Sequence, residues 1–258
     1  MSRPTIAVHK FSSCDGCQLA FLNAGEALLT LSNLVDIKHF AEAGPLDEHA
    51  SVNIAFIEGS VSTPDDAQRL QKIRQQSNFI VTIGACATSG GLQALRNMAN
   101  SEQWIASVYT NPEHIRTLDT STPIRDHIKV DLELWGCPVN GRQVFAAVRA
   151  LLSGVTPVTE TDKVCMECKR QHNVCVLVTR GEACMGPVTR TGCGALCPSF
   201  GRDCYACYGP AENINTAAMA KRLQGLGLAN NDISRRFLFI NSGADEFYRE
   251  GMAWKPEP

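Results

Sequence analysis

Residues 79–91 read Phe-Ile-Val-Thr-Ile-Gly-Ala-Cys-Ala-Thr-Ser-Gly-Gly. The first five are β-branched or aromatic and predict a buried strand over 79–83, which Gly84 ends. Cys86 then stands just past the strand's carboxyl end, with Gly90 and Gly91 behind it. The same figure recurs on both sides. A β-rich run at 5–10 leads to Cys14, Gly16 and Cys17, and one at 128–135 leads to Gly136 and Cys137. Two further runs, 35–40 and 53–58, complete five predicted strands. Helical patterns separate them at 17–31, 64–76 with Pro64 in the first turn, 92–99 and 141–152. Strands alternating with helices specify an α/β fold, here an open, doubly wound parallel sheet of flavodoxin type.

Open α/β sheets bind their ligands at the carboxyl ends of the strands. Cys14, Cys17, Cys86 and Cys137 all fall there, so residues more than 100 positions apart are expected to converge on one site. The adjoining Gly16, Gly84, Gly90, Gly91 and Gly136 either let backbone approach a bulky ligand or serve the strand-to-helix turns.

The alternation stops near Thr161, which predicts a domain over 1–158 and a second over 159–258. About 50 residues there carry no periodicity, a loop too long for a compact domain without another organiser. They do carry Cys165, Cys168, Cys175, Cys184, Cys193, Cys197, Cys204 and Cys207. Helical patterns return at 211–226 and at 232–248, the latter with Asn231 or Asp232 as its cap.

The chain thus holds twelve cysteines in 258 residues. It begins with no apolar leader and has no apolar run of roughly 18 residues, so a soluble, cytoplasmic protein is expected. Cytosolic thiol buffers make a disulfide framework of that size rare, and grouped thiols point instead to metal. Three sets of four match the ligand count of iron-sulfur clusters. Zinc is the rival: Cys165-Met-Glu-Cys168 and Cys204-Tyr-Ala-Cys207 are C-x-x-C knuckles. Zinc ribbons, however, space two knuckles by about 15 to 20 residues, whereas four more cysteines intervene here. Cys197-Pro198 is similar to the cysteine-proline of bacterial ferredoxins. His172 lies within the block and is read as a surface or packing residue, because eight thiols already make two complete sets. Spacing alone does not divide those eight.

Hydrophobic residues at 44%, charged residues at 19% and a net charge of -2 describe an ordinary globular protein with no electrostatic draw to nucleic acid or membrane. No Ser-His-Asp set, Walker loop or intact G-x-G-x-x-G is present, so hydrolysis and direct nucleotide binding have no support.

Taken in order, several motifs resemble one family. They are Cys14-Asp-Gly-Cys17-Gln, Ile57-Glu58-Gly59-Ser60, Gly84-Ala-Cys86-Ala, Gly136-Cys137-Pro138, the run from Cys184-Met-Gly-Pro to Cys193-Gly-Ala-Leu-Cys197-Pro, and Cys204-Tyr-Ala-Cys207-Tyr-Gly-Pro. Together they resemble the small subunit of nickel-iron hydrogenases over nearly the whole chain. Within that family they are most similar to the soluble, cytoplasmic branch, the delta subunit of sulfhydrogenase-type, pyridine-nucleotide-coupled enzymes.

The resemblance implies an electron-transfer subunit, not catalytic alone, between a nickel-iron site in a separate large subunit and flavin- and iron-sulfur-containing partners that react with NAD(P). It assigns Cys14, Cys17, Cys86 and Cys137 to a proximal cluster. A medial cluster takes Cys193, Cys197, Cys204 and Cys207, and a distal one takes Cys165, Cys168, Cys175 and Cys184. Periplasmic and membrane-bound relatives have a histidine where this distal set begins with Cys165, and a proline in place of one medial cysteine, which gives them a 3Fe-4S centre. Three 4Fe-4S clusters are therefore expected here. Alternatives are a small subunit serving a heterodisulfide reductase or the deazaflavin F420 and, from another class, a zinc-binding scaffold.

Glu58 ends a predicted strand on the cysteine side. It is read either as a carboxylate that moves protons or holds the cluster loops near the large-subunit interface, or as a turn carboxylate. Lys169, Arg170, Arg190 and Arg202 flank the ligands and either offset cluster charge or are solvated loop charges. Trp135 and Phe145 are read as core.

Overall fold

The computed structural model describes residues 3–256, which divide at Val158 and Thr159 into two compact units. The first unit is built on a five-stranded, wholly parallel sheet in the order β2-β1-β3-β4-β5. Its strands are β1 (Thr5–Lys10), β2 (Asp36–Phe40), β3 (Val52–Glu58), β4 (Ser77–Ile83) and β5 (Leu132–Leu134). The helices are α1 (Gly16–Leu22), α2 (Glu26–Leu34), α3 (Pro64–Gln75), α4 (Gly84–Ser89), α5 (Ser101–Val108) and α6 (Gly141–Leu152). This is the α/β architecture the alternation specifies.

Parallel sheets are covered on both faces, and the strands alternate accordingly. Ile6, Val8, Ile54 and Phe56 meet Phe21 of α1 and Val144, Ala147 and Val148 of α6. Ala7, Ala55, Ile57 and Ile80 point the other way, to Leu70 and Ile73 of α3 and to Ile124 and Ile128. The start of α3 is fixed by a capping box: Thr63 accepts from the Asp66 N–H, and Asp66 accepts from the Thr63 N–H. His9 on β1 and His39 on β2 are both buried and stacked, with ring centroids 4.8 Å apart.

Three predicted elements differ. The helix expected over 17–31 is two, because the chain breaks at Asn23-Ala24-Gly25 with Gly25 at φ 56°. The strand expected from Ile128 starts only at Leu132: the Asp131 carboxylate takes the Ile80 N–H at 2.8 Å, and the ladder resumes after it. The segment at 92–99 is a 3-10 helix, Gly91–Met98.

In the second unit, α7 (Val164–Arg170), α8 (Val176–Thr179) and α9 (Leu196–Ser199) are short pieces within the cysteine block. Isolated antiparallel bridges, Lys163 with Arg190 and Thr189 with Pro210, tie that block together. Then follow α10 (Thr216–Gly225), α11 (Asn230–Leu238) and α12 (Asp245–Ala253). The helix expected over 211–226 starts at Thr216, where Asn215 accepts from the Ala218 N–H at 2.8 Å. The one expected over 232–248 is two, because Asn241 and Ser242 are buried between them and Asn241 donates to the Ala206 carbonyl at 2.8 Å. The cap is Ala229 rather than Asn231 or Asp232. Phe237 and Phe247 pack edge to face at 5.7 Å and form the centre of this helical layer. Among the described residues, no helix is long and apolar enough to cross a membrane.

Candidate iron-sulfur sites

In the first unit four thiols approach one another from separate segments. Cys14 lies in the loop after β1, Cys17 in the first turn of α1, Cys86 in α4 directly after β4, and Cys137 past β5. Cys17 is buried, Cys86 and Cys137 are half-buried, and Cys14 is exposed. Burial pushes the Cys86 thiol up to about 12, and the charges of Cys137 and Cys14 add to it. Burial likewise raises Cys17, where Glu58, Cys86 and Cys137 contribute, and Cys137, where Cys14 contributes. Cys17, Cys86 and Cys137 therefore each feel the field of other thiols in the set.

The loops around them are held by specific bonds. Glu58, 2% exposed at the end of β3, accepts the backbone N–H of Cys17 at 3.0 Å and of Gln18 at 3.1 Å. Burial raises its carboxyl pKa, and those two N–H groups oppose the rise. Asp15 sits in the left-handed region at φ 63° and ties to Lys10 at 2.6 Å. The Val139 N–H points at Cys17 Sγ from 3.5 Å. Gln93 donates to the Ser12 carbonyl at 3.0 Å and also hydrogen-bonds Cys86.

Two of the glycines beside these sulfurs, Gly84 and Gly91, leave no room for a side chain. A methyl group at Gly84, whose φ is 86°, would overlap Cys17 Sγ, and one at Gly91 would stand 2.7 Å from Cys86 Sγ. A soft, four-thiol donor set with side-chain-free backbone against the sulfurs fits an iron-sulfur cluster.

In the second unit, Cys165, Cys168, Cys175 and Cys184 act on one another electrostatically; Cys165 is pushed up to about 11, first by burial and then by the other three. Cys193 is raised to about 11 by burial and feels Cys197, while Cys204 is raised by burial and feels Cys184 and Cys207. Backbone N–H groups support the sulfurs, from Cys204 to Cys184 Sγ at 3.3 Å and from Ala206 to Cys204 Sγ at 3.4 Å. Cys204 thus adjoins both expected sets. Among the described residues no three His, Cys, Asp or Glu side chains converge as a single-ion site. Zinc would need sulfurs about 3.8 Å apart, from bonds of about 2.3 Å in a tetrahedron; a cluster carries its thiolates on separate irons and holds them wider.

His172 is exposed in a left-handed turn after α7. Arg170 pairs with Glu160 at 2.9 Å, and Arg190 donates to the Pro210 carbonyl at 3.2 Å. Trp135 is buried, and Phe145 packs at the edge of the core around Phe21. Sequence reasoning missed three supports. Glu167 binds the loop that bears Cys193, while Arg236 and Asn241 hold the loop of Cys204 and Cys207 through Asp203 and Ala206. A carboxylate between two C-x-x-C cysteines and glycines on both sides of Cys193 were the signals available.

A parallel sheet whose strand ends gather four cysteines, followed by a cysteine-dense unit, is the architecture of an α/β subunit with thiol sets suited to iron-sulfur clusters. The family model described as NADH ubiquinone oxidoreductase, 20 Kd subunit, matches residues 14–151, and the chain belongs to that family as a small subunit of the nickel-iron hydrogenase type. It is 32% identical to sulfhydrogenase 2 subunit delta of Pyrococcus furiosus, over 90% of this chain and 96% of the relative. It is 30% identical to a subunit of the F420-non-reducing hydrogenase of Methanocaldococcus jannaschii, over 92% of this chain and 93% of the relative. Among solved structures, an NAD+-reducing [NiFe]-hydrogenase chain superposes with a TM-score of 0.56 at 27% identity, covering 60% of this chain and 94% of that one. The chain is accordingly a subunit of an oxidoreductase that acts on hydrogen.

Proposed function

We propose that this chain carries three 4Fe-4S clusters and relays electrons between the nickel-iron site of a separate large subunit and a flavin-bearing, NAD(P)-reactive partner in the cytoplasm. The observation that carries the reading is the meeting of Cys14, Cys17, Cys86 and Cys137, drawn from three strand ends, with Gly84 and Gly91 clearing space at the sulfurs. These four would hold the proximal cluster. Cys193, Cys197, Cys204 and Cys207 would hold the medial one, and Cys165, Cys168, Cys175 and Cys184 the distal one.

Each such cluster, when bound, takes up and returns one electron. The thiols supply ligands, and the N–H groups of Val139, Cys204 and Ala206 stabilise negative charge on sulfur. Glu58 fixes the Cys17 loop, and in this reading it would hold a proton near the large-subunit interface. In this reading exposed Cys14 would lie toward the large subunit, and exposed Cys175, between exposed Val174 and Val178, would lie at the exit.

A second reading gives the same relay another acceptor, such as a heterodisulfide reductase. It is favoured by the relative whose name states that it does not reduce F420. Anaerobic purification of the native complex tests the proposal. About twelve iron atoms per chain, absorbance near 400 nm and hydrogen-dependent NAD(P) reduction are expected. A colourless zinc protein defeats the relay, and hydrogen-dependent reduction of another acceptor alone selects the second reading.

A further inference from the structure

Glu167 lies on α7 between Cys165 and Cys168, yet its carboxylate serves a loop some 25 residues further on. Oε1 accepts the N–H of Gly192 at 2.8 Å and of Gly194 at 3.1 Å, and Oε2 accepts the N–H of Ala195 at 3.0 Å. Gly192, Gly194 and Ala195 all have positive φ, so the backbone curls into a cup of N–H groups around the carboxylate. Cys193 stands at the rim, with Sγ 3.7 Å from Oε2. On the same helix Arg170 pairs with Glu160 at 2.9 Å rather than forming an ion pair with Glu167.

We propose that Glu167 is a positioning residue that locks the cysteine quartet begun by Cys165 and Cys168 to the one begun by Cys193, and that its charge lowers the reduction potential of the cluster at Cys193. This rests on the reading that the eight cysteines hold two clusters. The physics is direct. The N–H dipoles of Gly192 and Gly194 are spent on the carboxylate, that of Ala195 is shared between the carboxylate and the Cys193 sulfur, and a fixed negative charge beside that sulfur opposes the arrival of an electron. Because the same side chain is covalently framed by two ligands of the other quartet, loop and helix move together. The electron carrier nearer the chain's exit and the one before it are thereby held in a constant relation.

The experiment uses the anaerobically purified complex with wild-type chain, Glu167→Gln and Glu167→Asp, and Cys193→Ser to identify which EPR signal belongs to the cluster at Cys193. Iron is counted and each signal is followed through a redox titration. Glu167→Gln is nearly isosteric and uncharged; its complex should keep the wild-type iron content while the reduction equilibrium of the Cys193 cluster shifts about tenfold toward the reduced form, 59 mV for one electron. Glu167→Asp should return the potential most of the way, and the strand-end cluster should not move in either variant. An unchanged potential in an iron-replete Glu167→Gln overturns the proposal, as does an equal shift of all clusters. If Glu167→Gln loses the Cys193 cluster, recovery of that cluster in Glu167→Asp supports the lock, and loss in both variants overturns it. Wild-type protein without iron signals defeats the cluster reading itself, before any substitution is compared.

Discussion

The backbone N–H of Cys17 donates to Glu58 Oε1 at 3.0 Å, so the end of the third strand holds the turn that presents a candidate ligand of the strand-end site. The neighbouring Gln18 N–H completes the grip on the other oxygen. Glu58→Ala leaves two buried N–H groups without an acceptor, at about 1 to 3 kcal/mol each. It should lose about four iron atoms, the content of one cluster, whereas Glu58→Gln, which keeps one acceptor, should retain most of them. Iron analysis with EPR checks both; full iron in Glu58→Ala would show that the turn stands without its anchor.

Gly84→Ala tests the space beside the sulfur. The added methyl overlaps Cys17 Sγ, and alanine at φ 86° is strained as well. A substitution this small should displace Cys17, remove the strand-end cluster and weaken association with the large subunit, measured by co-purification. Alanine at Gly154, which also has positive φ but nothing within 4 Å, is the control: it carries the backbone strain without the collision.

Cys168→Ala separates chemistry from electron export. Hydrogen-deuterium exchange needs only the metal centre of the large subunit and should survive, while hydrogen-dependent nicotinamide reduction should be lost. EPR of the other two clusters establishes that the variant is folded. Equal loss of both activities in such protein would sink the relay order, and retention of both would show a different exit.

Acid should weaken the first unit through His9. Burial, then His39 and Arg69, lower its pKa from 6.5 to about 3. Below 6.5 the unfolded chain takes up a proton that the folded chain refuses until about 3, so stability falls as pH drops through that window. The slope is about 1.4 kcal/mol per pH unit for one proton. His9→Leu should therefore lose about 2 kcal/mol less than the wild type between pH 7 and 5 in urea unfolding. An identical pH dependence in the two proteins would contradict this.

The sheet and its strand-end cysteines were legible because buried parallel strands leave runs such as Phe79-Ile-Val-Thr-Ile, and because open α/β sheets present ligands at one edge. Helix breaks were not. Asn23-Ala24-Gly25 and Asn241-Ser242-Gly243 interrupt apolar patterns that remain periodic across them, and only the buried polar partners of Asn241 explain the second break. Glu167 was overlooked for a related reason. A glutamate in a stretch without periodicity reads as a solvated loop charge, and its partners are backbone N–H groups, which every sequence contains and none advertises.

The strand-end site also has a history during synthesis. Its thiols come from the loops and turns after β1, β4 and β5, so a ribosome that has not yet made Cys137 displays only three of the four, and no complete cradle. The eight later thiols span only residues 165–207 and gather within a short stretch of nascent chain. On the proposed ligand set, cluster delivery to the first unit would wait for β5 to join β4, which would tie metal loading there to completion of the sheet and leave an incomplete chain unable to trap a finished cluster at that site.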